Sequence, residues 1–115
     1  MFKTTVLSLY VALLLVLLQS FNLTAADNKT VYERDGKCAS CHGTDGKGKQ
    51  KIADLFKIDV AKLNLVDEET GKKSDAQLAK TTRDGVDKSK MKGYKDQFSD
   101  EEIAELVKYI RFLKK

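Results

Sequence analysis

The sequence predicts an all-α protein built from three to four helices. The last part of the chain has the clearest helical pattern, with apolar residues every three or four positions. These residues are Ile103, Leu106, Val107, Ile110 and Leu113. Two segments begin with a serine followed three residues later by Gln or Glu, which is the spacing of a helix capping box. After residue 26 no alternation of apolar and polar residues indicates a β-strand.

Residues 1–26 have the pattern of a secretory signal peptide. Lys3 supplies the positive charge, residues 6–18 are almost entirely apolar, and small residues allow cleavage after Ala26. An uncleaved membrane anchor is the alternative, although a membrane span needs about twenty apolar residues and this run has thirteen. With cleavage, residues 27–115 form a single domain of 89 residues outside the cytosol, most simply in the periplasm.

Residues 27–37 are predicted to form a first helix that leads into Cys38-Ala39-Ser40-Cys41-His42. Two cysteines three positions apart, with a histidine directly after, have the spacing of a c-type haem attachment site. Each thiol can add to one vinyl group of the macrocycle, and His42 then reaches the iron from one side. The chain contains no other cysteine and no other histidine. We therefore predict one covalently bound haem c at Cys38, Cys41 and His42.

Three other interpretations of this motif remain open. A structural zinc site needs four protein ligands, and a second pair of ligands is missing. A dithiol redox pair needs a βαβ context, which the sequence does not show. A disulfide between Cys38 and Cys41 would close only a small loop and would stabilise the fold little.

Within the middle of the chain, residues 52–66 are predicted to form the wall of the haem pocket. Residues 43–51 are a glycine-rich loop, residues 52–66 mix helical and irregular apolar spacing, and residues 67–73 are a polar connector. A short helix begins after Ser74, which forms a capping box with the glutamine three residues later, and ends near Gly85.

Residues 86–96 are predicted to form a loop around Met91, before the last helix of the chain. Ser99 and Glu102 form the capping box of that helix. Acidic residues at its start and basic residues at its end match the helix dipole. We expect this helix to pack against the first helix, because its apolar stripe must be buried.

Met91 is the candidate for the second axial ligand of the iron. The macrocycle takes four of the six positions and His42 takes the fifth. Met91 lies 49 residues after His42 and is the only methionine left after cleavage of the signal peptide. A thioether suits haem iron, and its polar neighbours are not those of a methionine that fills a core. An open sixth position that binds a gas, or a lysine ligand, is the alternative.

The chain resembles a class I cytochrome c of the small bacterial monohaem type. The resemblance covers nearly all of residues 27–115 and lies in the signal peptide, the haem motif, the methionine loop and the last helix. It implies the cytochrome c fold, in which the N- and C-terminal helices pack crosswise. It also implies that Cys38 and Cys41 bind haem covalently, with His42 as the proximal ligand and Met91 as the distal ligand.

Two positions depart from the pattern of this family. Lys92 stands where a proline often follows the distal methionine, so we expect a more mobile loop and an iron–sulfur bond that exchanges more easily. Arg34 holds the usual position of the aromatic residue of the first helix, and Tyr32 comes two residues earlier. The helix crossing is therefore expected to differ in detail. Tyr94 lies three residues after Met91, where the family often has an aromatic residue.

The mature chain carries 20 basic and 17 acidic residues, a net charge of +3. The positive charge concentrates in residues 37–51 and 83–95, each of which has a net charge of +3. We predict a basic rim around the haem that attracts an acidic redox partner; a generic lysine-rich surface is the alternative. Nucleic acid is not expected as a partner, because the protein is exported and lacks an aromatic platform between its basic residues.

The sequence therefore predicts a soluble, exported and monomeric electron carrier rather than an enzyme. With both axial positions filled, no substrate binds the iron, and no spare histidine is present for acid–base chemistry. Redox proteins are the expected partners, through small and weak contacts. The alternatives are a gas-binding or sensing haem protein with a labile sixth ligand, and a membrane-anchored cytochrome subunit of a redox complex. A domain this small has a marginal core, so the haem-free form is expected to fold poorly.

Overall fold

The computed structural model describes residues 10–11 and 25–115. In those ranges the chain is helical and forms no β-strand, and a single isolated β-bridge pairs Gly85 with Lys92. The prediction of an all-α protein is confirmed. The predicted signal peptide, residues 1–26, lies almost wholly outside the described residues. None of the described helices has the length and apolar character needed to cross a membrane.

Residues 25–115 contain six α-helices, more than the predicted three to four, and four of the six have seven residues or fewer. The helices are α1 (Ala25–Thr30), α2 (Ala39–His42), α3 (Gln50–Phe56), α4 (Glu68–Lys72), α5 (Asp75–Asp84) and α6 (Asp100–Leu113). A π-helical turn, Val31–Asp35, continues α1, and a 3-10 helix, Val60–Leu63, follows α3.

The first helical segment ends earlier than predicted, at Asp35 rather than at Lys37. The amide of Gly36 donates to the carbonyl of Val31 at 2.7 Å, and the amide of Cys38 donates to the carbonyl of Tyr32 at 2.9 Å. Lys37 then takes a left-handed φ of 54°, an uncommon conformation for a residue other than glycine. The chain therefore turns sharply before it enters the haem motif.

Two predictions for the middle of the chain were wrong in detail. The glycine-rich loop ends at Lys49, because α3 begins at Gln50. The polar connector contains α4, whose N-cap is Asp67; its carboxylate accepts a hydrogen bond from the amide of Thr70 at 2.9 Å. An N-cap aspartate followed by two glutamates favours a helix start, so the sequence did contain a pattern for this short helix.

Both predicted capping boxes are confirmed. Ser74 accepts from the backbone amide of Gln77, and Ser99 accepts from that of Glu102; each Gln or Glu side chain accepts from the serine amide in return. Gly85 ends α5 with a φ of 77°. A β-carbon at Gly85 would lie only 2.7 Å from the carbonyl oxygen of Met91, so glycine is needed there for conformation and for space.

The core forms where α6 packs on α1, the π-helical turn and α5. Within the predicted stripe Ile103, Leu106, Val107 and Ile110 are buried, and Leu113 is partly buried. The predicted pairing of the first and last helices is therefore confirmed. The core also takes in a cluster of residues from α2, the π-helical turn and α6. Its buried members are Tyr32, Ala39, Leu106, Tyr109 and Ile110.

Candidate haem site

All four residues predicted to bind haem line one cavity. Cys38, Cys41, His42 and Met91 contribute to its wall, and its volume is about 730 Å³. Ligand sites in proteins usually enclose roughly 300–1,000 Å³. The fold therefore brings Met91 to the haem motif, although 49 residues separate it from His42.

The haem motif is held against the core from both ends. Ala39, in the first turn of α2, is buried in the core cluster. The hydroxyl of Tyr32, which is fully buried, donates to the carbonyl of Gly43 at 2.7 Å. Beyond α2, the amide of Gly48 donates to the carbonyl of His42 at 2.7 Å, which satisfies a free carbonyl at the end of the helix. These contacts fix the backbone that carries the two thiols and the imidazole.

The imidazole of His42 has a defined orientation. Its Nδ1 lies 2.7 Å from the carbonyl oxygen of Leu63, in the 3-10 helix. Burial lowers the pKa of His42, although the Leu63 carbonyl acts in the opposite direction. A neutral ring must donate its Nδ1 proton to that carbonyl, which leaves the lone pair of Nε2 for a metal. Such a backbone acceptor is the usual partner of a metal-ligating histidine.

Both cysteines are free thiols at the cavity wall. Burial raises the pKa of Cys38 to about 11, so this side chain is a protonated thiol at neutral pH. Redox-active and catalytic cysteines instead have lowered pKa values. The environment of Cys38 therefore does not favour the dithiol redox interpretation, and it is compatible with a thiol that attaches a cofactor.

The loop that carries Met91 is anchored by the chain on both sides of it. The amide of Tyr94 donates to the carbonyl of Thr82 at 3.0 Å, and the amide of Lys95 donates to that of Arg83 at 3.2 Å. The hydroxyl of Tyr94 also donates to the carbonyl of Gly36 at 2.6 Å. Tyr94 thus connects the methionine loop directly to the segment that precedes Cys38.

Apolar side chains complete the cavity wall. They are Phe56, Ile58, Leu63 and Val86. Three of the four come from residues 52–66, the segment predicted to form the pocket wall, so that prediction is confirmed. An apolar wall next to thiol, imidazole and thioether donors suits a large, flat and mostly apolar group that is bound through its metal.

The charge around the cavity is strongly positive, but its composition differs from the prediction. Five lysines and one aspartate line the cavity: Lys37, Lys62, Lys88, Lys90, Lys92 and Asp87. We call these five lysines the basic rim. Lys62 was not among the residues predicted for it. Of the lysines predicted in residues 37–51, only Lys37 is among the residues that line this cavity.

The donor set fits a covalently bound haem. Two free thiols three residues apart provide two attachment points, and the free Nε2 of His42 and the sulfur of Met91 are both suitable iron ligands. Sequence reasoning missed the Leu63 carbonyl, because every residue has a carbonyl and only the fold selects one. It also missed the bond of Tyr94 to Gly36, although the position of Tyr94 after Met91 had already singled it out.

Comparison with known protein families matches residues 24–110 to the family described as cytochrome C oxidase, cbb3-type, subunit III. The matched range includes the haem motif, every residue that lines the cavity and most of α6. No curated protein matches the chain.

Proposed function

Because the chain belongs to the cytochrome c family described as cytochrome C oxidase, cbb3-type, subunit III, we propose that Cys38 and Cys41 attach haem c and that His42 and Met91 ligate its iron. A member of this family is a haem-binding electron-transfer protein whose haem c is bound covalently. The main support for this assignment is that all four residues line a single cavity, in which a backbone carbonyl orients the ring of His42.

Each of these residues has a separate task in electron transfer. Haem c supplies an iron that changes between the ferric and ferrous states. The two cysteines would hold the group next to α2. Burial keeps His42 neutral, and the Leu63 carbonyl orients its ring and makes it more basic as a ligand. The thioether of Met91 would stabilise the ferrous state and so raise the reduction potential. With His42 and Met91 as its protein ligands, the iron would have no position open to a substrate, which favours an electron carrier over an enzyme.

The substitution Met91→Ala tests the sixth ligand. We expect the ferric absorption band at the red edge of the visible spectrum to disappear and the reduction potential to fall, because the thioether no longer stabilises ferrous iron. Lys90→Ala, at the neighbouring position, is the control and should keep the band. An unchanged spectrum in Met91→Ala would show that Met91 is not a ligand. Rapid binding of carbon monoxide by the ferrous wild-type protein would support the gas-binding alternative.

We further propose that the basic rim attracts an acidic redox partner. Charges of one sign around a site accelerate the encounter with a partner of opposite charge, and salt weakens this effect. The rate of electron transfer to an acidic partner should therefore fall as ionic strength rises. Lys88→Glu should lower the rate at least about threefold at low salt. Lys80→Glu makes the same change in net charge on α5, away from the cavity, and should have a smaller effect. Equal effects of the two variants would contradict steering by the rim.

Residues 1–26 are proposed to be a signal peptide, and residues 27–115 to be a soluble periplasmic monomer. Cytochrome c domains are typically exported across the membrane. The description of the family as an oxidase subunit favours a second candidate, a cytochrome subunit of an oxidase complex that the N-terminal segment anchors. N-terminal sequencing of the purified protein separates the two. A first residue at Asp27 supports the soluble carrier, whereas an intact N-terminus on protein that copurifies with an oxidase supports the subunit.

A further inference from the structure

We infer that the side chain of Ser89 is a latch that positions Met91 towards the haem cavity. Ser89 is thereby a positioning residue rather than a ligand. The inference rests on the proposed ligation by Met91 and adds to it the group that holds this methionine in place.

The hydroxyl of Ser89 bonds to the backbone on both sides of its loop. It donates to the carbonyl of Val86 at 2.8 Å and accepts from the amide of Met91 at 3.1 Å. The amide of Ser89 donates to the same Val86 carbonyl at 3.2 Å, and the amide of Val86 donates to the carbonyl of Met91 at 3.1 Å. One small side chain therefore connects the first and last residues of the segment 86–91.

The loop has few other means of holding Met91. The sequence contains no proline, so no pyrrolidine ring restricts the backbone next to the methionine. Lys88 has a left-handed φ of 57° at the third position of the turn Val86–Ser89, where glycine is the usual residue. A lysine stays in that conformation only when neighbouring interactions hold it there. The bonds of Ser89 to Val86 are the interactions that close this turn.

Apart from the backbone bond between the amide of Val86 and the carbonyl of Met91, the remaining anchors of the loop lie outside the segment 86–91. The bridge between Gly85 and Lys92 and the bond from Tyr94 to Thr82 fix only its two ends. Within the segment, the side-chain hydrogen bonds that the structure describes are both made by Ser89. Removal of this hydroxyl should therefore loosen the backbone at Met91 while the ends of the loop stay in place.

The test uses the ferric holoprotein and imidazole as a competing ligand. The rate at which imidazole replaces the native sixth ligand reports how often Met91 leaves the iron. Ser89→Ala should raise this rate about threefold to tenfold, the change expected when one hydrogen bond of ordinary net strength is lost. Ser89→Thr keeps a hydroxyl and should restore the rate to within about twofold of wild type. Recovery in the threonine variant would show that the hydroxyl, and not the size of the side chain, holds the loop.

Thr81→Ala is the matched control. The hydroxyl of Thr81 donates to the carbonyl of Gln77 at 3.0 Å in α5, so this variant also loses one hydroxyl–carbonyl bond, one turn before the loop. Its rate of imidazole binding should equal that of the wild type. Each variant loses one hydroxyl–carbonyl bond, so the denaturant midpoints of Ser89→Ala and Thr81→Ala should be similar. A faster imidazole rate in Ser89→Ala then reflects a local change in the loop rather than a loss of global stability.

The outcomes separate the latch from the proposed ligation. If the red-edge band is lost in Met91→Ala but imidazole binds Ser89→Ala at the wild-type rate, the latch is wrong and the ligation stands. If the wild-type protein has no such band and Met91→Ala leaves its spectrum unchanged, both are wrong. A faster rate in Ser89→Ala alone, with recovery in Ser89→Thr, supports the latch.

Discussion

At the scale of single residues, hydrogen bonds to backbone carbonyls position the groups of the haem motif. Leu63 offers the carbonyl that orients His42, and Gly43 offers the one that accepts from Tyr32. Burial raises the pKa of Tyr32, so its hydroxyl keeps its proton, and with it this bond, at all ordinary pH values. The tyrosine therefore fixes the backbone directly after His42 from inside the core.

The substitution Tyr32→Phe tests this contact. It keeps the ring, which packs against Tyr109 with the ring centroids 5.3 Å apart, but leaves the buried Gly43 carbonyl without its donor. We expect the free energy of unfolding to fall by about 1–3 kcal/mol, measured by denaturant unfolding of the holoprotein. Tyr109→Phe removes a hydroxyl from the neighbouring ring and should cost clearly less. Equal losses in the two variants would mean that the bond to Gly43 contributes nothing of its own.

At the scale of elements, the pairing of the first segment with α6 depends on the π-helical turn. Tyr32, in this turn, is fully buried, whereas Arg34 is exposed. The difference in the helix crossing stays a prediction, and this turn gives a local reason to expect it. The π-helical turn has a wider hydrogen-bonding pattern than an α-helix. It places the ring of Tyr32, which lies six residues before Cys38, on the face of the first segment that meets α6.

A hydrogen bond whose strength depends on pH also joins α1 to α6. Asn28 in α1 donates to the carboxylate of Glu105 in α6 at 3.4 Å, and Lys108 donates to it at 2.7 Å. The bond with Lys108, followed by that with Asn28, lowers the pKa of Glu105 below its usual 4.5. A carboxyl group with a lowered pKa stabilises the fold above its unfolded-state pKa. That contribution is lost as the pH falls through the folded-state value.

Glu105→Gln should therefore weaken the dependence of stability on pH below about 4.5. Thermal melts of the holoprotein between neutral pH and pH 3 measure the effect. The variant should approach the melting temperature of the wild type at the acidic end, where the wild-type carboxyl is protonated as well. Glu101→Gln, on the exposed first turn of α6, is the matched control. If the melting temperature of Glu105→Gln fell between neutral pH and pH 3 by as much as that of the wild type, this role of Glu105 would be contradicted.

At the scale of the whole molecule, the cavity is the point at which separate segments meet. Its wall draws on the haem motif, the region of α3 and the 3-10 helix, and the methionine loop. The core cluster, by contrast, involves mainly α2, the π-helical turn and α6. The segments from α3 to the 3-10 helix and around Met91 lie largely outside this cluster, so we expect a bound group to complete their packing.

Removal of haem should consequently abolish cooperative folding of residues 27–115. A domain of this size has a marginal core of its own, and a cavity of about 730 Å³ would expose its apolar wall to water. Protein made in a host without haem maturation should show a broad, weakly cooperative thermal transition by circular dichroism. Holoprotein from a maturation-competent host is the reference. A sharp transition in the haem-free protein, close to that of the holoprotein, would refute this expectation.

Local patterns in the sequence predicted the elements whose stability is also local. The capping boxes at Ser74 and Ser99 and the apolar stripe of α6 depend on residues three or four positions apart, so the sequence was sufficient for α5 and α6. Helices α2, α3 and α4 span only four, seven and five residues. Elements this short depend on contacts from elsewhere in the fold, and their bounds were predicted poorly or not at all.

The sequence by itself determined which residues are the candidates for haem binding, because the haem motif and Met91 are defined by residue type and spacing. Only the tertiary structure decided how those groups are held. The carbonyl that orients His42 lies 21 residues away along the chain, and the one bonded by Tyr94 lies 58 residues away. Lys62 likewise joins the basic rim from a separate segment. Spacing along the chain cannot reveal such contacts, because they arise only when distant loops close against a shared core.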